Sequence, residues 1–321
     1  MRVGLQLEEA RCGRTVCGEL AELAAFTLLG EDSNRKDRQL SGRTARRRVL
    51  RLTVPAEGKP GGATARADLL AAEEPLGIRA DGAALAMTMR TPGDDIELAA
   101  GFLVSEAIVR SPGDIVEIKL CDGTSCGHGN HDGLGNVADV SLAPGVAITS
   151  AARRNFMITS ACGVCGKTSI EDICVLPQAA LSADETTFSP QVLACLPGRL
   201  REAQRVFAST GGLHAAALFT SSGELIAIRE DVGRHNAVDK LVGWAFLTDR
   251  LPLAGCVLLV SGRASFELVQ KAVLGGVPLL AAVSAPSSLA ADLAEEAGLT
   301  LVGFLRGPSM NVYTGAHRIL A

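Results

Sequence analysis

Short apolar segments alternate with amphipathic segments over residues 213–304, and this alternation restricts the fold more than any other feature of the chain. The apolar segments predict five strands, at Leu213–Phe219, Leu225–Arg229, Cys256–Ser261, Leu279–Val283 and Leu299–Phe304. The amphipathic segments predict three helices, at Asn236–Leu247, Phe266–Leu274 and Ser287–Ala297. Strands and helices that alternate in this way form layered α/β domains. We therefore expect a layered sheet-and-helix domain whose central portion is largely parallel.

The preceding residues predict a smaller N-terminal portion. Strands are predicted at Arg48–Val54, Ala84–Arg90, Ile115–Leu120 and Val137–Leu142, helices at Asp94–Val109 and Gln191–Ala208, and a glycine-rich loop at Lys59–Ala63. Residues 1–42 show no periodic apolar face, which is typical of disordered segments. We expect a disordered extension over 1–42 and a folded domain over 43–321.

The chain has 321 residues, a formal net charge of −4 and 3% aromatic residues. This charge gives no general attraction to nucleic acid or to anionic membranes, and few aromatic rings are available to stack on bases. The apolar stretches are soon interrupted by charge or glycine, and the first residues do not resemble a secretory signal. We therefore expect a cytoplasmic protein without a nucleic-acid or membrane partner, in a compartment where thiols stay reduced.

A run of arginines begins the predicted domain, and it consists of Arg43, Arg46, Arg47, Arg48 and Arg51. Such a run could meet an acidic partner. A solvated basic segment is the simpler interpretation, because charge runs usually face water.

Two thiols, Cys162 and Cys165, lie three positions apart in the segment Thr159–Ser169, with glycines beside them and Lys167 after them. A nearby cation favours the thiolate, which is the nucleophilic form of cysteine. In a reducing compartment, such cysteines carry chemistry or metal more often than structural disulfides. We predict sulfur chemistry at this pair. A turn that holds two small buried side chains is the alternative.

The loop between two predicted strands contains four possible metal ligands, Cys121, Cys126, His128 and His131. Their types suit zinc, but their spacing is loose compared with zinc loops. A zinc-dependent deaminase also needs an H-x-E motif, and none of the five histidines has a glutamate two positions later. We predict no tightly bound metal ion and no deaminase activity, while metal binding by this loop stays an open alternative.

Four glycine-containing turns adjoin predicted strands, at Thr210–His214, Asp231–Asn236, Ser261–Ser265 and Phe304–Gly307. Free backbone N–H groups in such turns, together with arginines, suit a phosphate. In a doubly wound sheet, these turns gather at one edge, where ligands bind. The sequence therefore predicts a phosphate-rich ligand at this edge. It leaves open the separate roles of Arg234, His235 and Arg263.

Six motifs of this chain match those of one known family, at Glu97–Val109, Ser160–Asp172, Thr210–Phe219, Arg229–Gly243, Leu258–Ala272 and Gly303–Thr314. They include SACGVCGKTSIED, REDVGRHNAVDKLVG and GFLRGPSMNVYT, and they follow one another without a break in order over residues 43–319. By these motifs the chain resembles the formate dehydrogenase accessory sulfurtransferase family, FdhD.

The resemblance implies a cytidine-deaminase-like α/β fold without the deaminase zinc motif. It implies a sulfur carrier that accepts sulfur as a persulfide from a cysteine desulfurase. The sulfur would pass to the molybdenum bis(molybdopterin guanine dinucleotide) cofactor, which then enters formate dehydrogenase. Cys162 would carry the persulfide and Cys165 would assist its transfer. The cofactor would bind along one stretch, formed by Phe304, Leu305, Arg306, Gly307, Pro308 and Ser309.

A homodimer is also expected. The alternative from a different functional class is a cofactor chaperone whose two thiols are structural, redox-regulatory or zinc-bound. A Cys162→Ala variant separates the two, because the chaperone would keep its function and the sulfur carrier would lose it.

Overall fold

The computed structural model describes residues 42–54, 61–121, 136–148, 181 and 183–320, and every structural statement here concerns these residues. Residues 1–41 lie outside the described part, so the predicted disordered extension stays a prediction. Cys162 and Cys165 lie outside it as well, as do Cys126, His128 and His131.

The N-terminal portion begins with an antiparallel hairpin of β1 (Thr44–Thr53) and β2 (Gly62–Ala71). The next four strands are β3 (Glu74–Ala80), β4 (Ala83–Arg90), β5 (Ile115–Cys121) and β6 (Val137–Leu142). They form a four-stranded sheet in the order β4-β3-β6-β5, in which β3 and β6 are parallel. Helix α1 (Asp95–Ser105) follows β4.

Two helices, α2 (Pro190–Ala203) and α3 (Arg205–Thr210), lead into the larger sheet. Its strands are β7 (His214–Thr220), β8 (Leu225–Asp231), β9 (Cys256–Val260), β10 (Leu279–Ala282), β11 (Thr300–Arg306) and β12 (Ser309–Thr314). The strand order is β12-β11-β10-β9-β7-β8. Neighbours β9, β10 and β11 are parallel, whereas β7, β8 and β12 run antiparallel to the strands beside them.

Three helices connect these strands, namely α4 (Arg234–Leu247), α5 (Phe266–Leu274) and α6 (Ser288–Glu296). Side chains alternate across the sheet, so strands such as β7 and β9 contribute to two separate apolar clusters. Leu218 and Leu258 face the cluster that contains α1, α4, α5, α6 and the four-stranded sheet. Phe219 and Leu259 face the cluster that contains α2. The sheet is therefore covered on both faces, as expected for its apolar strands.

The layered α/β class with a smaller N-terminal portion is confirmed. The parallel arrangement holds for the three neighbouring strands β9–β11. Strands β2 and β3 were not predicted, because their alanines, glycines and charged residues hide the alternation expected of strands. The short strand β12 was not predicted either, although its sequence SMNVYT does alternate. The predicted loop at Lys59–Ala63 ends earlier than expected, since Gly62 already begins β2.

The single helix predicted at Gln191–Ala208 is wrong in one respect: the chain breaks at Gln204 into α2 and α3. The cause is a contact with β8. The carboxylate of Glu230, which is buried, accepts hydrogen bonds from the backbone N–H groups of Val206 (3.0 Å) and Phe207 (2.8 Å). An acceptor at these free N–H groups starts a new helix at that point.

Candidate functional site

The carboxyl ends of β8, β9, β10 and β11 meet at one edge of the larger sheet, together with the start of β7. This follows from the pairing, because His214 at the start of β7 lies opposite Asp231 at the end of β8, and Ala216 lies opposite Val260 near the end of β9. The sequence-predicted turns are therefore gathered at one edge, where parallel sheets bind their ligands.

Backbone hydrogen bonds join these turns side by side. Gly262 accepts one from Ser284 N–H (3.2 Å), and Ser284 accepts one from Phe304 N–H (3.1 Å). The Ser261 hydroxyl accepts one from Ala215 N–H (2.9 Å). The edge is thus a connected framework that can hold side chains in fixed positions.

A cavity of about 530 Å³ opens at this edge, between the sheet and helices α2 and α3. Its walls include Arg201, Phe207, His214, Val232, Ser261 and Val283. The Arg201 guanidinium lies 4.1 Å from the centre of the Phe207 ring, which holds a cation against the wall. A volume of this size falls within the range of about 300–1,000 Å³ found for small-molecule sites.

His214 contributes a titratable ring to the cavity wall. Burial lowers the pKa of His214, and electrostatic repulsion from the neighbouring Arg234 and His235 lowers it further, whereas Asp231 raises it. The ring is therefore held in its neutral form more firmly than an exposed histidine.

This shift predicts an acid-dependent loss of stability. In the unfolded chain His214 takes up a proton near its ordinary pKa of 6.5, while in the folded chain it resists protonation. Stability should therefore fall as the pH drops through about 6.5 and level off below the folded pKa. Urea unfolding at several pH values should show a smaller loss in His214→Gln than in the original chain. The variant of an exposed histidine, His317→Gln, is the control, and equal losses in both variants would contradict the prediction.

A buried ion pair holds the turn between β8 and α4 in place. Lys240 Nζ lies 2.7 Å from Asp231 Oδ2 and donates to the Thr91 carbonyl oxygen at 2.8 Å. The other oxygen of Asp231 accepts from the Gly233 N–H (2.8 Å) and from Asn236 Nδ2 (3.0 Å). A buried carboxylate needs this many partners, and together they fix the backbone that carries Arg234.

Arg234 and His235 begin helix α4 at the sheet edge. Arg234 Nε is buried and has no hydrogen-bond partner within the described residues. His235 Nε2 lies 3.2 Å from Ser265 Oγ and 2.7 Å from Glu267 Oε2. His235 is thus tied to the neighbouring turn, whereas Arg234 keeps an unused donor that an anion could accept.

The last predicted strand ends at Phe304, but β11 extends to Arg306 and a further strand, β12, begins at Ser309. The stretch 304–309 therefore lies in the hairpin of β11 and β12. Phe304 adopts a left-handed conformation (φ 50°) at a bulge, and the residue is 38% exposed. Arg306 donates from Nε to the Val283 carbonyl oxygen (2.9 Å), and its guanidinium lies 5.9 Å from the Phe304 ring centre. Leu305 is fully buried, so neither its side chain nor its backbone is open to a ligand.

Two groups of predicted site residues have no position relative to this sheet edge. Cys162 and Cys165 lie outside the described residues, and so does most of the suggested zinc loop, of which only Cys121 is described, as the last residue of β5. Within the described residues, no three His, Cys, Asp or Glu side chains lie together as a metal site would require. No described helix combines the length and the apolar character needed to cross a membrane.

Sequence reasoning missed three of the residues that shape the edge. Arg201 and Phe207 come from helices α2 and α3, whose positions beside the sheet have no local signature. Lys240 lies in the middle of α4 and would normally be assigned to a solvated face. Its ion pair with Asp231 at the end of β8 and its hydrogen bond to Thr91 from the smaller portion explain why this lysine is buried.

Comparison with known proteins agrees with the motifs. The chain matches the FdhD/NarQ family over residues 71–320. It is 58% identical over 280 residues to the sulfur carrier protein FdhD of Streptomyces avermitilis, covering 86% of this chain and 95% of that protein. It is 45% identical over 261 residues to the protein of the same name from Sulfolobus acidocaldarius, covering 81% and 95%.

A solved structure shares the fold. It is that of a protein from Desulfotalea psychrophila described as a formate dehydrogenase accessory protein. The two chains superpose with a TM-score of 0.61 at 23% identity, over 85% of this chain and 99% of the other. The match over 250 of 321 residues, from 71 to 320, and the identity to the Streptomyces protein establish the relationship. The chain belongs to the FdhD/NarQ family.

Proposed function

We propose that this protein is a sulfurtransferase that carries sulfur as a persulfide on Cys162. The sulfur would come from a cysteine desulfurase and pass to the molybdenum bis(molybdopterin guanine dinucleotide) cofactor required by formate dehydrogenase. Support comes from the relatives, which are named sulfur carrier proteins, and from the Cys162–Cys165 pair with Lys167 nearby. A lowered thiol pKa would suit both the attack and the release of sulfur.

Each proposed step is a thiol–disulfide exchange. The Cys162 thiolate attacks the outer sulfur of the donor persulfide, an S–S bond forms as another breaks, and the donor cysteine leaves as a thiolate. Cys165 then attacks the inner sulfur of Cys162. This step forms a disulfide between the two and releases the outer sulfur to the acceptor as sulfide. A thiol reductant then restores both thiols.

One observation carries the acceptor side of the proposal: a cation lines the cavity at the sheet edge, and an unsatisfied buried donor lies on the adjoining turn. Arg201 lines the cavity, and Arg234 begins α4, two residues after Val232 in the cavity wall. The Nε donor of Arg234 lacks a partner within the described residues. An acceptor that bears several phosphates would satisfy these groups by charge-assisted hydrogen bonds.

Phe304 and Arg306 suit the guanine nucleotide end of such an acceptor. The half-exposed ring and the guanidinium lie beside each other at the end of β11, so a flat base could stack there while a phosphate meets the charge. Gly307, Pro308 and Ser309 are exposed in the hairpin, so their backbone could contact the acceptor, whereas the buried Leu305 would support the stretch from within the fold.

Guanosine diphosphate should bind as a fragment of the acceptor. Arg306→Ala should weaken this binding by about 1–3 kcal/mol, because it removes a charge-assisted hydrogen bond. Titration calorimetry measures the effect. The control is Arg110→Ala, which removes an exposed arginine from the connection between α1 and β5. Unchanged affinity in Arg306→Ala would place the nucleotide elsewhere.

Sulfur loading tests the carrier role itself. After incubation with a cysteine desulfurase and cysteine, the intact mass of the protein should increase by one sulfur atom. The cofactor chaperone remains the alternative function. It predicts no added sulfur and full activation of formate dehydrogenase by a variant that lacks both Cys162 and Cys165. That pair of results would reject the sulfurtransferase.

A further inference from the structure

The β1–β2 hairpin, here called the arm, buries little of its surface against the rest of the fold. Each strand has ten residues, and each pairs only with the other among the described strands. The β1 residues from Arg46 to Thr53 are exposed except for the half-buried Val49, and those of β2 are exposed from Gly62 to Ala67. Both faces and both outer edges of the arm are thus open.

The arm is strongly basic. Four exposed arginines, Arg46, Arg47, Arg48 and Arg51, lie on β1. On β2, Arg66 already pairs with Asp68 at 3.2 Å, so these two charges neutralise each other. The strand alternation places Arg47 and Arg51 on one face, and Arg46 and Arg48 on the other. The arm therefore presents positive charge on both faces, although the whole chain has a net charge of −4.

Apolar side chains are exposed on β1 and directly after it, close to these arginines. Leu50 is 44% exposed, Leu52 60% and Val54 81%. A two-stranded hairpin alone is marginally stable in water, and exposed apolar side chains with open strand edges favour covering by another chain. The combination of charge and apolar surface fits a protein contact better than simple solvation.

The base of the arm lies beside the cavity. Ala72 N–H donates to the Arg43 carbonyl oxygen (3.0 Å) where the arm joins the domain. A Cβ atom added at Gly212, which lines the cavity, would lie 3.4 Å from the Cβ of Ala71 at the end of β2. A partner held along the arm would therefore be close to the cavity mouth.

We propose that the arm is a docking element for an acidic surface of the protein that receives the ligand of the cavity. The inference rests on the proposed function, in which that protein is formate dehydrogenase before it acquires its cofactor. The arginines would pair with carboxylates of the partner, while Leu50, Leu52 and Val54 would be covered by its apolar side chains. Charge pairs of this kind accelerate association and set specificity.

Other anionic partners fit the arm less well. The described arm contains no aromatic residue that could stack on bases. The net negative charge of the chain disfavours nucleic acid and anionic membranes at long range.

The test compares two charge reversals of equal size. Arg47→Glu/Arg51→Glu changes the arm, and Arg110→Glu/Lys119→Glu changes two exposed cations outside it. Binding to immobilised formate dehydrogenase purified without its cofactor is measured by biolayer interferometry at low and high salt. The arm variant should bind at least about tenfold more weakly at low salt, with the difference shrinking at high salt, while the control keeps near-original affinity.

Melting temperatures and sulfur loading of both variants are measured in parallel. If the reversal melts the hairpin, Arg47→Gln/Arg51→Gln replaces it, because glutamine adds no repulsion. Equal binding by the arm and control variants would overturn the arm proposal. So would a selective loss of binding to the desulfurase, to a single-stranded oligonucleotide or to phosphatidylserine vesicles instead. Sulfur loading of the original chain decides the proposed function separately, since the arm variant should load normally.

Discussion

Cys162→Ala should form no persulfide and should leave formate dehydrogenase as inactive as in cells that lack this protein. In the proposed exchange, the sulfur travels on the thiol of Cys162, and alanine has no nucleophile to accept it. In a CxxC turn the first thiol is usually the more exposed and the more acidic, because backbone N–H groups of the following residues can point at it. Lys167 adds a positive charge nearby.

Cys165→Ala is the matched control, because it removes the same group three positions away. It should still accept sulfur from the desulfurase on Cys162, but it should release that sulfur poorly. Peptide mass spectrometry after incubation with desulfurase and cysteine locates the added atom in each variant. Sulfur found on Cys165 alone, or loaded equally well in Cys162→Ala, would reverse the two roles.

The motifs were enough to predict which turns meet at the sheet edge. The rule that carboxyl ends of parallel strands share an edge applies to Ser261–Ser265 and Asp231–Asn236 without knowledge of any side-chain contact. The strand Val137–Leu142 was predicted with its observed bounds because its apolar and polar residues alternate. The local sequence pattern was therefore enough to predict these strand bounds and turn positions.

Tertiary contacts decided the rest. Glu230 ends one helix and starts another at Gln204, although the local sequence continues a helical pattern. Lys271 is buried because it reaches Asp239 at 2.7 Å, and the same carboxylate accepts a hydrogen bond from Ser105 at 2.6 Å. These three residues come from three helices, so no window of sequence contains the reason for their burial.

Helices α1 and α4 approach each other very closely in the core. This approach depends on two glycines that local reasoning would count only as poor helix formers. A Cβ added at Gly101 would overlap the Asp239 carbonyl oxygen and lie 2.8 Å from Gly243 N. A Cβ added at Gly243 would overlap the Glu97 carbonyl oxygen and lie 2.6 Å from Gly101 N. The obstacles are backbone atoms of a packed helix, so no side-chain rotation can relieve them.

Gly101→Ala should therefore destabilise the fold by at least about 3 kcal/mol, the upper end of the usual cost of overpacking, since one helix must move away from the other. That loss is a large part of the total stability of about 5–15 kcal/mol of a typical domain. Gly243→Ala should have a similar effect. Urea unfolding followed by circular dichroism measures both, and failure to express as soluble folded protein counts as the same outcome.

Gly198→Ala provides the opposite expectation within the same chain. Gly198 lies inside α2, and no atom beyond its own helix backbone and chain neighbours lies within 4 Å of an added Cβ. Alanine has the higher helix propensity, so this variant should gain up to about 1 kcal/mol. Replacing a helical glycine by alanine therefore stabilises the fold where the added Cβ meets open space, and destabilises it where the Cβ meets a packed backbone. If the free energy of unfolding of Gly101→Ala lay within about 1 kcal/mol of that of the original chain, helices α1 and α4 would have to lie farther apart than in this structure.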